Sequence, residues 1–500
     1  MRNRVLVNYI ASLVYQFSSL SVGLILPRYY IEIFGSTYNG LNQTITQVMS
    51  LLAIFQYGIA AASIQAMFKP IAENDDSGVA AIYRVSGQEY RRMGYYFLLA
   101  ITPIVFIYPI FVISQVSYWI VVSFFIFRAI SSAMEYFFQA KYSILLIAHN
   151  KSFAIYIINT ILLFVGFGFH LTVLFTIQNI LLYQFIAVII TFLRLGILTL
   201  YIRKKFSYLS STDIKQHKDN RNSVKIKNRK DVLISELAGL VIDSTDLIVL
   251  SIFASLLDAS IYSVYNFVLI GLSGFLSSAR EAVIAGLGKK FHENKEAFVS
   301  KIKTFESIYL LIAFVLYSVA ILMFKPFILL YTKGMDAEYF YPLLPLLFVI
   351  PRILTSLRIP SIVGINISGD FKQVKRYAII EAIINLTLSL ILVKIWGIYG
   401  VLMATIIAAV YRTPVLINYT YKHILKKSPA VAFFKIVPWM IMFAICVIIS
   451  FNCNFGAKDF VDWVVTGGIC FTAVGIVSLL ILFFTDKAAL NQISSILIKK

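Results

Sequence analysis

Charged side chains stand inside long apolar runs of this 500-residue sequence, where a lipid bilayer makes an ionised group costly. A guanidinium carries five N–H donors in a rigid fork that suits phosphate oxygens, so arginines in such runs are candidates to bind an anionic ligand. Each arginine is alternatively a structural ion-pair partner or a side chain that extends to the membrane surface. The candidate anion-binding residues are Arg28, Arg128, Arg280, Arg352, Arg358 and Arg412.

Four carboxylates in similar runs are candidates to bind a coupling cation. Glu236, Asp243 and Asp246 are spaced by seven and three residues, which places them along one stripe of a helix. Carboxylates on one stripe repel each other unless they are protonated or share a cation, so the stripe predicts a proton or sodium site. Alternatively, the three neutralise arginines elsewhere. Glu135 lies seven residues after Arg128, about 10 Å along a helix, so each of those two needs another partner.

Other chemistry is poorly supported by the sequence. The five histidines are scattered, and Cys446, Cys453 and Cys470 have no metal-ligand spacing. We find no nucleophile–base pair, phosphate-binding loop or dinucleotide motif in any polar segment. We therefore expect no metal, no cofactor and no enzymatic activity.

The overall composition is that of a membrane protein. Hydrophobic residues make up 59% of the chain and charged residues only 14%, with a mean hydropathy of +0.83. Too little polar material exists to coat soluble domains of this length. The 44 Lys and Arg against 24 Asp and Glu give a net charge of +20, which in a soluble protein would suggest nucleic acid. Because basic residues are typical of cytoplasmic membrane loops, we expect no nucleic-acid partner.

The apolar runs predict an all-α polytopic membrane protein with about fourteen transmembrane helices. Most Lys and Arg residues fall in loops on one side, and only Lys325, Lys333, Lys394 and Lys458 fall in loops on the other. This asymmetry predicts a multi-pass protein of the bacterial inner membrane with both termini in the cytoplasm. The predicted spans are residues 8–31, 40–66, 93–114, 118–146, 152–172, 174–201, 231–255, 259–285, 307–328, 340–366, 378–395, 398–422, 433–453 and 459–484.

The sequence also suggests an internal repeat. Residues 36–42 (STYNGLN) resemble residues 260–266 (SIYSVYN), and each segment lies at the start of the second span of a half. Because six spans is an even number, both halves enter the membrane from the same side, which is a parallel repeat. The predicted organisation is a six-helix lobe (1–201), a basic cytoplasmic linker (202–230), a second six-helix lobe (231–422), two additional transmembrane helices (423–484) and an amphipathic cytoplasmic tail (485–500).

Several features together point to one family. They are the six-plus-six-plus-two arrangement, the basic linker, the acidic span Leu237–Leu250, and the motifs Asn8-Tyr9, Pro27-Arg28-Tyr29-Tyr30 and Tyr38-Asn39-Gly40-Leu41. With these features the chain resembles the polysaccharide-transport (Wzx-type) flippases of the multidrug/oligosaccharidyl-lipid/polysaccharide exporter superfamily, over essentially its whole length. The resemblance implies two lobes in a V-shaped fold. In the related lipid II flippase, arginines of the first and eighth spans serve the diphosphate, and Arg28 and Arg280 occupy similar spans here.

The resemblance implies that an undecaprenyl-diphosphate-linked oligosaccharide repeat unit moves from the cytoplasmic to the outer leaflet by alternating access. It implies membrane lipids, H+ or Na+, and polysaccharide assembly proteins as partners, with O-antigen lipopolysaccharide or capsule among the products. A cation or multidrug antiporter of the same superfamily is an alternative, but six arginines against four carboxylates favour an anionic ligand. A membrane polysaccharide polymerase or ligase is a further alternative, which the short external loops disfavour.

Overall fold

The computed structural model of the protein describes residues 2–56, 58–210, 229–453, 455–487 and 489–490. Over these ranges the chain is α-helical and contains no β-strand, as predicted. Among the described residues, twelve helices are long and apolar enough to cross a membrane, which confirms the polytopic membrane fold. Two of the fourteen predicted spans, 40–66 and 231–255, are not among these twelve, so the count of fourteen stays a prediction.

The chain divides into two compact units. The first unit comprises Met1–Leu240 and Ser255–Ser260. A π-helical turn at Glu135–Gln139 joins the helices Tyr118–Met134 and Ala140–Ala148, so that the two form one continuous apolar helix over Tyr118–Ala148. The helices of the first unit are α1 (Arg2–Phe34), α2 (Ser36–Leu52), α3 (Ile59–Ala72), α4 (Asp76–Val112), α5 (Tyr118–Met134), α6 (Ala140–Ala148), α7 (Ser152–Thr172) and α8 (Ile180–Lys205).

Two helices of the first unit differ from the predicted spans for local reasons. The run 40–66 contains the end of α2, a 3₁₀ turn and the start of α3, with Gly58 at a φ of 82° between them. A left-handed residue interrupts an α-helix, and hydropathy does not detect it. Helix α4 begins well before the predicted span because the Asp75 side chain accepts a hydrogen bond of 2.9 Å from the backbone N–H of Gly78.

The second unit comprises Val241–Ala254 and Ile261–Lys500. The helices Arg229–Phe253 and Leu256–Glu293 therefore each contribute residues to both units. The hairpin between the helices Phe371–Trp396 and Ile398–Tyr419 turns at Gly397, whose φ is 53°. The remaining helices of the chain are α9 (Arg229–Phe253), α10 (Leu256–Glu293), α11 (Lys295–Tyr331), α12 (Leu344–Ser368), α13 (Phe371–Trp396), α14 (Ile398–Tyr419), α15 (Ala430–Asn452) and α16 (Phe460–Thr485).

Helices α11 and α12 form the interior of the second unit, since 67% of the most apolar stretch of each is buried. Helices α15 and α16 pack against α11. The buried Trp439 ring of α15 lies 5.8 Å from the Phe314 ring, and the Trp463 Nε1 of α16 donates a hydrogen bond of 3.2 Å to the Met323 carbonyl. The last two spans thus belong to the same compact unit as α11.

The finer boundaries at residues 201, 230 and 422 stay predictions. Much of the predicted basic linker, residues 211–228, lies outside the described residues. So does most of the predicted amphipathic tail, because residues 491–500 are not described either.

Candidate functional site

One polar cluster in the first unit surrounds the guanidinium of Arg128. Its Nη2 donates a hydrogen bond of 3.0 Å to Oδ1 of Asn42, which joins α5 to α2. The same Asn42 oxygen accepts a bond of 3.1 Å from Nε2 of Gln184 on α8, and that nitrogen also lies 3.4 Å from the Tyr30 hydroxyl. Nε of Arg128 is buried and has no hydrogen-bond partner among the described residues. The cluster therefore holds a guanidinium with donor capacity to spare.

The second unit contains a matching pair. Nη2 of Arg352 on α12 donates a hydrogen bond of 2.8 Å to Oδ1 of Asn266 on α10. In both units the asparagine precedes its arginine by 86 residues. The two pairs occupy corresponding places in the repeat, because the same 224-residue interval separates Asn42 from Asn266 and Arg128 from Arg352.

A ring contact accompanies each pair at the same interval. Tyr38 lies one turn before Asn42 in α2, and its ring centroid is 6.5 Å from that of Phe124. Tyr262 and Phe348 are their counterparts in the second unit, with centroids 4.9 Å apart. Four positions thus correspond at one sequence interval, and the paired residues contact each other in both units, although the two ring pairs differ in angle and distance.

The partner of each of these arginines is uncharged. Asparagine is neutral, so its hydrogen bond does not offset the positive charge of Arg128 or Arg352. Among the described residues, no carboxylate lies within ion-pair distance of either guanidinium. A structural arginine inside a membrane protein is usually paired with a carboxylate or backbone carbonyl. Each unit therefore presents an oriented, unneutralised guanidinium that is suited to an anionic ligand.

Two other predicted anion-binding residues have a different environment. Nη1 of Arg358 lies 2.5 Å from one carboxylate oxygen of Glu381, and Nη1 of Arg412 lies 2.5 Å from the other. Glu381 on α13 is 1% exposed and Arg358 is 7% exposed. One carboxylate thus joins α12, α13 and α14 through two charge-assisted hydrogen bonds, and half of the arginine charge is neutralised.

A second polar cluster, here named the Asp246 cluster, lies in the second unit. Oδ2 of the buried Asp246 accepts hydrogen bonds from the Tyr262 hydroxyl at 3.0 Å and from Oγ1 of Thr405 at 3.1 Å. Asn385 Nδ2 is 2.9 Å from the same threonine oxygen, which also contacts the Val401 carbonyl at 3.1 Å. Carboxylate, hydroxyl and carbonyl oxygens are ligands that hard cations prefer, whereas the Asn385 amide presents its nitrogen to the threonine oxygen. The Asp246 cluster therefore has the donor set for a small cation.

The remaining predicted residues lie on α1, α9, α10 and the π-helical turn. Glu135 is exposed at the start of the π-helical turn. Arg28 on α1 and Arg280 on α10 are half-buried, and Nε of Arg280 has no described hydrogen-bond partner. The side chains of Glu236 and Asp243 lie outside the described residues, although α9 carries both positions.

Sequence reasoning did not pair Asn42 or Asn266 with the arginines, and it assigned no role to Glu381, Asn385 or Thr405. A signal existed for the first two, because both repeat segments, 36–42 and 260–266, end in asparagine. Glu381 was detectable as a lone carboxylate in the apolar span 378–395. Asn385 and Thr405 gave no signal, because polar uncharged residues are frequent in membrane helices.

Two further features of the second unit bear on function. Directly after α16, Asp486 lies 3.0 Å from Nζ of Lys435 and accepts a hydrogen bond of 2.6 Å from the Ser307 hydroxyl.

Between α15 and α16 lies a groove of about 700 Å³ with an apolar lining that includes Leu322 of α11. This groove lacks the donors that a sugar or a diphosphate needs. Within the described part of the chain, no group of three or more His, Cys, Asp or Glu side chains forms a metal site.

Comparisons with known proteins identify the fold. No protein-family model matches the chain, and no curated protein sequence matches it. Among solved structures, the lipid II flippase MurJ in an inward closed conformation is 16% identical over 95% of this chain and 99% of its own, with a TM-score of 0.62. An inward-facing multidrug resistance MATE transporter of the MOP superfamily is 13% identical over 84% of this chain and 99% of its own, with a TM-score of 0.57. An outward-facing multidrug resistance MATE transporter of the MOP superfamily is 11% identical over 85% of this chain and 96% of its own, with a TM-score of 0.58. The chain therefore has the fold that these flippase and transporter structures share.

Proposed function

We propose that this protein is a flippase that moves an undecaprenyl-diphosphate-linked oligosaccharide repeat unit from the cytoplasmic to the outer leaflet of a bacterial inner membrane. The observation that carries the proposal is the pair of guanidiniums of Arg128 and Arg352, each oriented by a neutral asparagine. A diphosphate offers several anionic oxygens, and an arginine fork binds such oxygens with charge-assisted hydrogen bonds. The shared fold with a lipid II flippase supports the same substrate class.

The predicted arginines divide into three groups in this proposal. Arg128 and Arg352 each bind diphosphate oxygens within their own unit, because no described carboxylate neutralises their charge. Arg358 and Arg412 stabilise the second unit through Glu381. Arg28 and Arg280 remain candidates for the diphosphate from the resemblance to the lipid II flippase.

The energy for transport comes from a cation in this proposal. The Asp246 cluster binds H+ or Na+, which is cargo of the transport cycle rather than a resident cofactor. The cluster combines a buried carboxylate with Thr405 and Asn385, so binding a cation there removes the cost of an ionised group in the interior. Alternating access then exposes the arginines first to the cytoplasmic side and next to the outer side.

The second candidate function is antiport of organic cations. It is favoured by the fold shared with MATE transporters and by the buried Asp246. In that case carboxylates carry the substrate specificity, and the arginines are structural counter-charges. Sugar specificity, the type of polysaccharide produced and polysaccharide assembly proteins as partners follow only if the flippase function holds.

The experiment that tests the proposal uses proteoliposomes loaded with undecaprenyl-diphosphate oligosaccharide whose label an external reagent can reach. Protein-dependent flipping is compared for the unmodified chain, Arg128→Ala, Arg352→Ala and Asp246→Asn, with and without an imposed pH or sodium gradient. The matched controls are Arg92→Ala and Lys394→Ala, which remove an exposed positive charge from each unit.

We expect flipping by the unmodified chain and both controls, and its loss in the two arginine variants. Asp246→Asn is expected to abolish the response to the gradient. Gradient-driven efflux of organic cations without lipid flipping would contradict the proposal and establish the antiporter.

A further inference from the structure

Tyr262 contacts both polar clusters of the second unit. Its hydroxyl donates a hydrogen bond of 3.0 Å to Oδ2 of Asp246 on α9. It lies one helical turn before Asn266 on α10, and its ring packs on that of Phe348, which lies one turn before Arg352 on α12. The residue is 7% exposed. One buried side chain thus touches the candidate cation site and both helices of the Asn266–Arg352 pair.

The repeat provides an internal comparison for this tyrosine. Tyr38 is its counterpart in the first unit and makes the corresponding ring contact with Phe124. The position that corresponds to Asp246 by the same interval is the apolar Val22. No described residue forms a hydrogen bond with the Tyr38 hydroxyl. The first unit therefore has the asparagine–arginine pair and the ring contact, with valine instead of a carboxylate at the position that corresponds to Asp246.

The comparison with the first unit indicates that the hydrogen bond of the Tyr262 hydroxyl is not required to form an asparagine–arginine pair. The Asn42–Arg128 pair forms at 3.0 Å without such a bond, so the bond is not required to assemble the pair. The Tyr262 hydroxyl instead donates its hydrogen bond to the Oδ2 carboxylate oxygen of the Asp246 cluster. A cation at that cluster would draw on the same oxygen and weaken the bond to the tyrosine.

We propose that Tyr262 is the positioning residue that couples cation binding at Asp246 to anion binding at Arg352. Without a cation, the carboxylate holds the hydroxyl and thereby the turn of α10 that carries Asn266. With a cation bound, the hydroxyl is released and the ring shifts against Phe348, which changes the orientation of the Arg352 guanidinium. This inference rests on the proposed function, because it uses the cation and anion sites assigned there.

Such coupling is reciprocal, since a cation that changes anion affinity by some factor has its own affinity changed by the same factor. This coupling factor is obtained from binding affinities alone, so no transport assay is needed to measure it. It is the ratio of the dissociation constants of an anion measured without and with saturating sodium. We expect a factor of about five or more in the unmodified protein.

The test measures binding of inorganic pyrophosphate to the purified full-length protein in detergent by titration calorimetry, with and without sodium chloride and with choline chloride as the ionic-strength control. Tyr262→Phe removes the hydroxyl and keeps the ring. Tyr38→Phe makes the same change at the corresponding position of the first unit, where no carboxylate stands. Phe348→Leu and its counterpart Phe124→Leu test the ring contact with the hydroxyl intact.

We expect the coupling factor to fall to about one in Tyr262→Phe, while pyrophosphate and sodium each still bind, and to be unchanged in Tyr38→Phe. Phe348→Leu should lower the factor and Phe124→Leu should not. An unchanged factor in Tyr262→Phe, or an equal loss in Tyr38→Phe, would overturn the inference alone. Absence of pyrophosphate binding to the unmodified protein would overturn the proposed function and the inference with it.

Discussion

Oδ1 of Asn266 and Nη2 of Arg352 are 2.8 Å apart, although the two residues are separated by 86 positions in the chain. The amide oxygen orients the guanidinium without neutralising it. The same arrangement recurs in the first unit between Asn42 and Arg128. Because both residues of the two pairs are separated by the same 224-residue interval, the arrangement is not confined to one unit.

Replacing the amide by a carboxylate tests whether the free charge matters. Asn266→Asp is expected to turn the pair into an ion pair and to lower pyrophosphate affinity about tenfold or more, the size of one charge-assisted hydrogen bond. Asn42→Asp should act in the same way on Arg128. Titration calorimetry measures the affinity, and the thermal unfolding of each variant provides the folding control. Equal affinity in a folded Asn266→Asp protein would contradict an anion site at Arg352.

Glu381 is expected to be essential for stability. Glu381→Gln leaves the buried Arg358 and the half-buried Arg412 without their counter-charge, and breaking a buried ion pair costs about 3–5 kcal/mol. The variant should unfold at a clearly lower temperature in detergent than the unmodified protein.

A triple variant separates the structural role of this triad from a role in binding. Replacing Glu381 by Gln and both arginines by Met removes all three charges together, and stability is expected to recover. Recovered stability together with lost pyrophosphate binding would instead place Arg358 or Arg412 among the anion-binding residues.

Gly400 permits the close approach of α13 and α14. A Cβ atom at this position would lie 2.2 Å from the Leu392 carbonyl oxygen, so Gly400→Ala must displace backbone. We expect a loss of about 1–3 kcal/mol, measured as a lower unfolding temperature. Gly468→Ala on α16 is the matched control, because nothing lies within 4 Å of its added methyl group. Similar unfolding temperatures for the two variants would show that the hairpin tolerates the displacement.

Asp486 should make stability depend on pH. Burial raises the pKa of this carboxyl group, and the hydrogen bonds from Ser307 and Lys435 lower it more, so its pKa lies below the usual value. A lowered pKa means that the ionised carboxylate stabilises the fold above the ordinary carboxyl range and that this contribution is lost as the pH falls through the lowered pKa.

The Asp486→Asn variant measures that contribution. Its unfolding temperature should lie below that of the unmodified protein at pH 7, and the difference should shrink once the pH falls below about 4. Glu73→Gln, which removes an exposed carboxylate 4.0 Å from Lys69, should change stability little at any pH. A difference in unfolding temperature between Asp486→Asn and the unmodified protein that stays constant with pH would contradict this prediction. It would show that the ionised form of Asp486 does not stabilise the fold.

The sequence by itself determined the class of fold. Lipid offers no hydrogen bonds to a free backbone, so long apolar runs have to be helices, and the described structure confirms this. The positions at which helices are interrupted or begin could not be predicted from hydropathy. Gly58 interrupts a run that reads as one span, and the Asp75 cap starts α4 inside what reads as a loop. Both are decided by single residues, which an average over about 20 residues does not register.

The candidate site required the tertiary structure. The sequence marked six arginines as equivalent, because each is a charge in an apolar run. The structure distinguished four of them by their partners. Arg128 contacts Asn42 and Arg352 contacts Asn266, whereas Arg358 and Arg412 both contact Glu381. Hydropathy depends on neighbours along the chain, whereas the charge state of a site depends on neighbours in space. Those neighbours stand 23 to 86 residues away, and only the packing of the helices brings them within hydrogen-bonding distance.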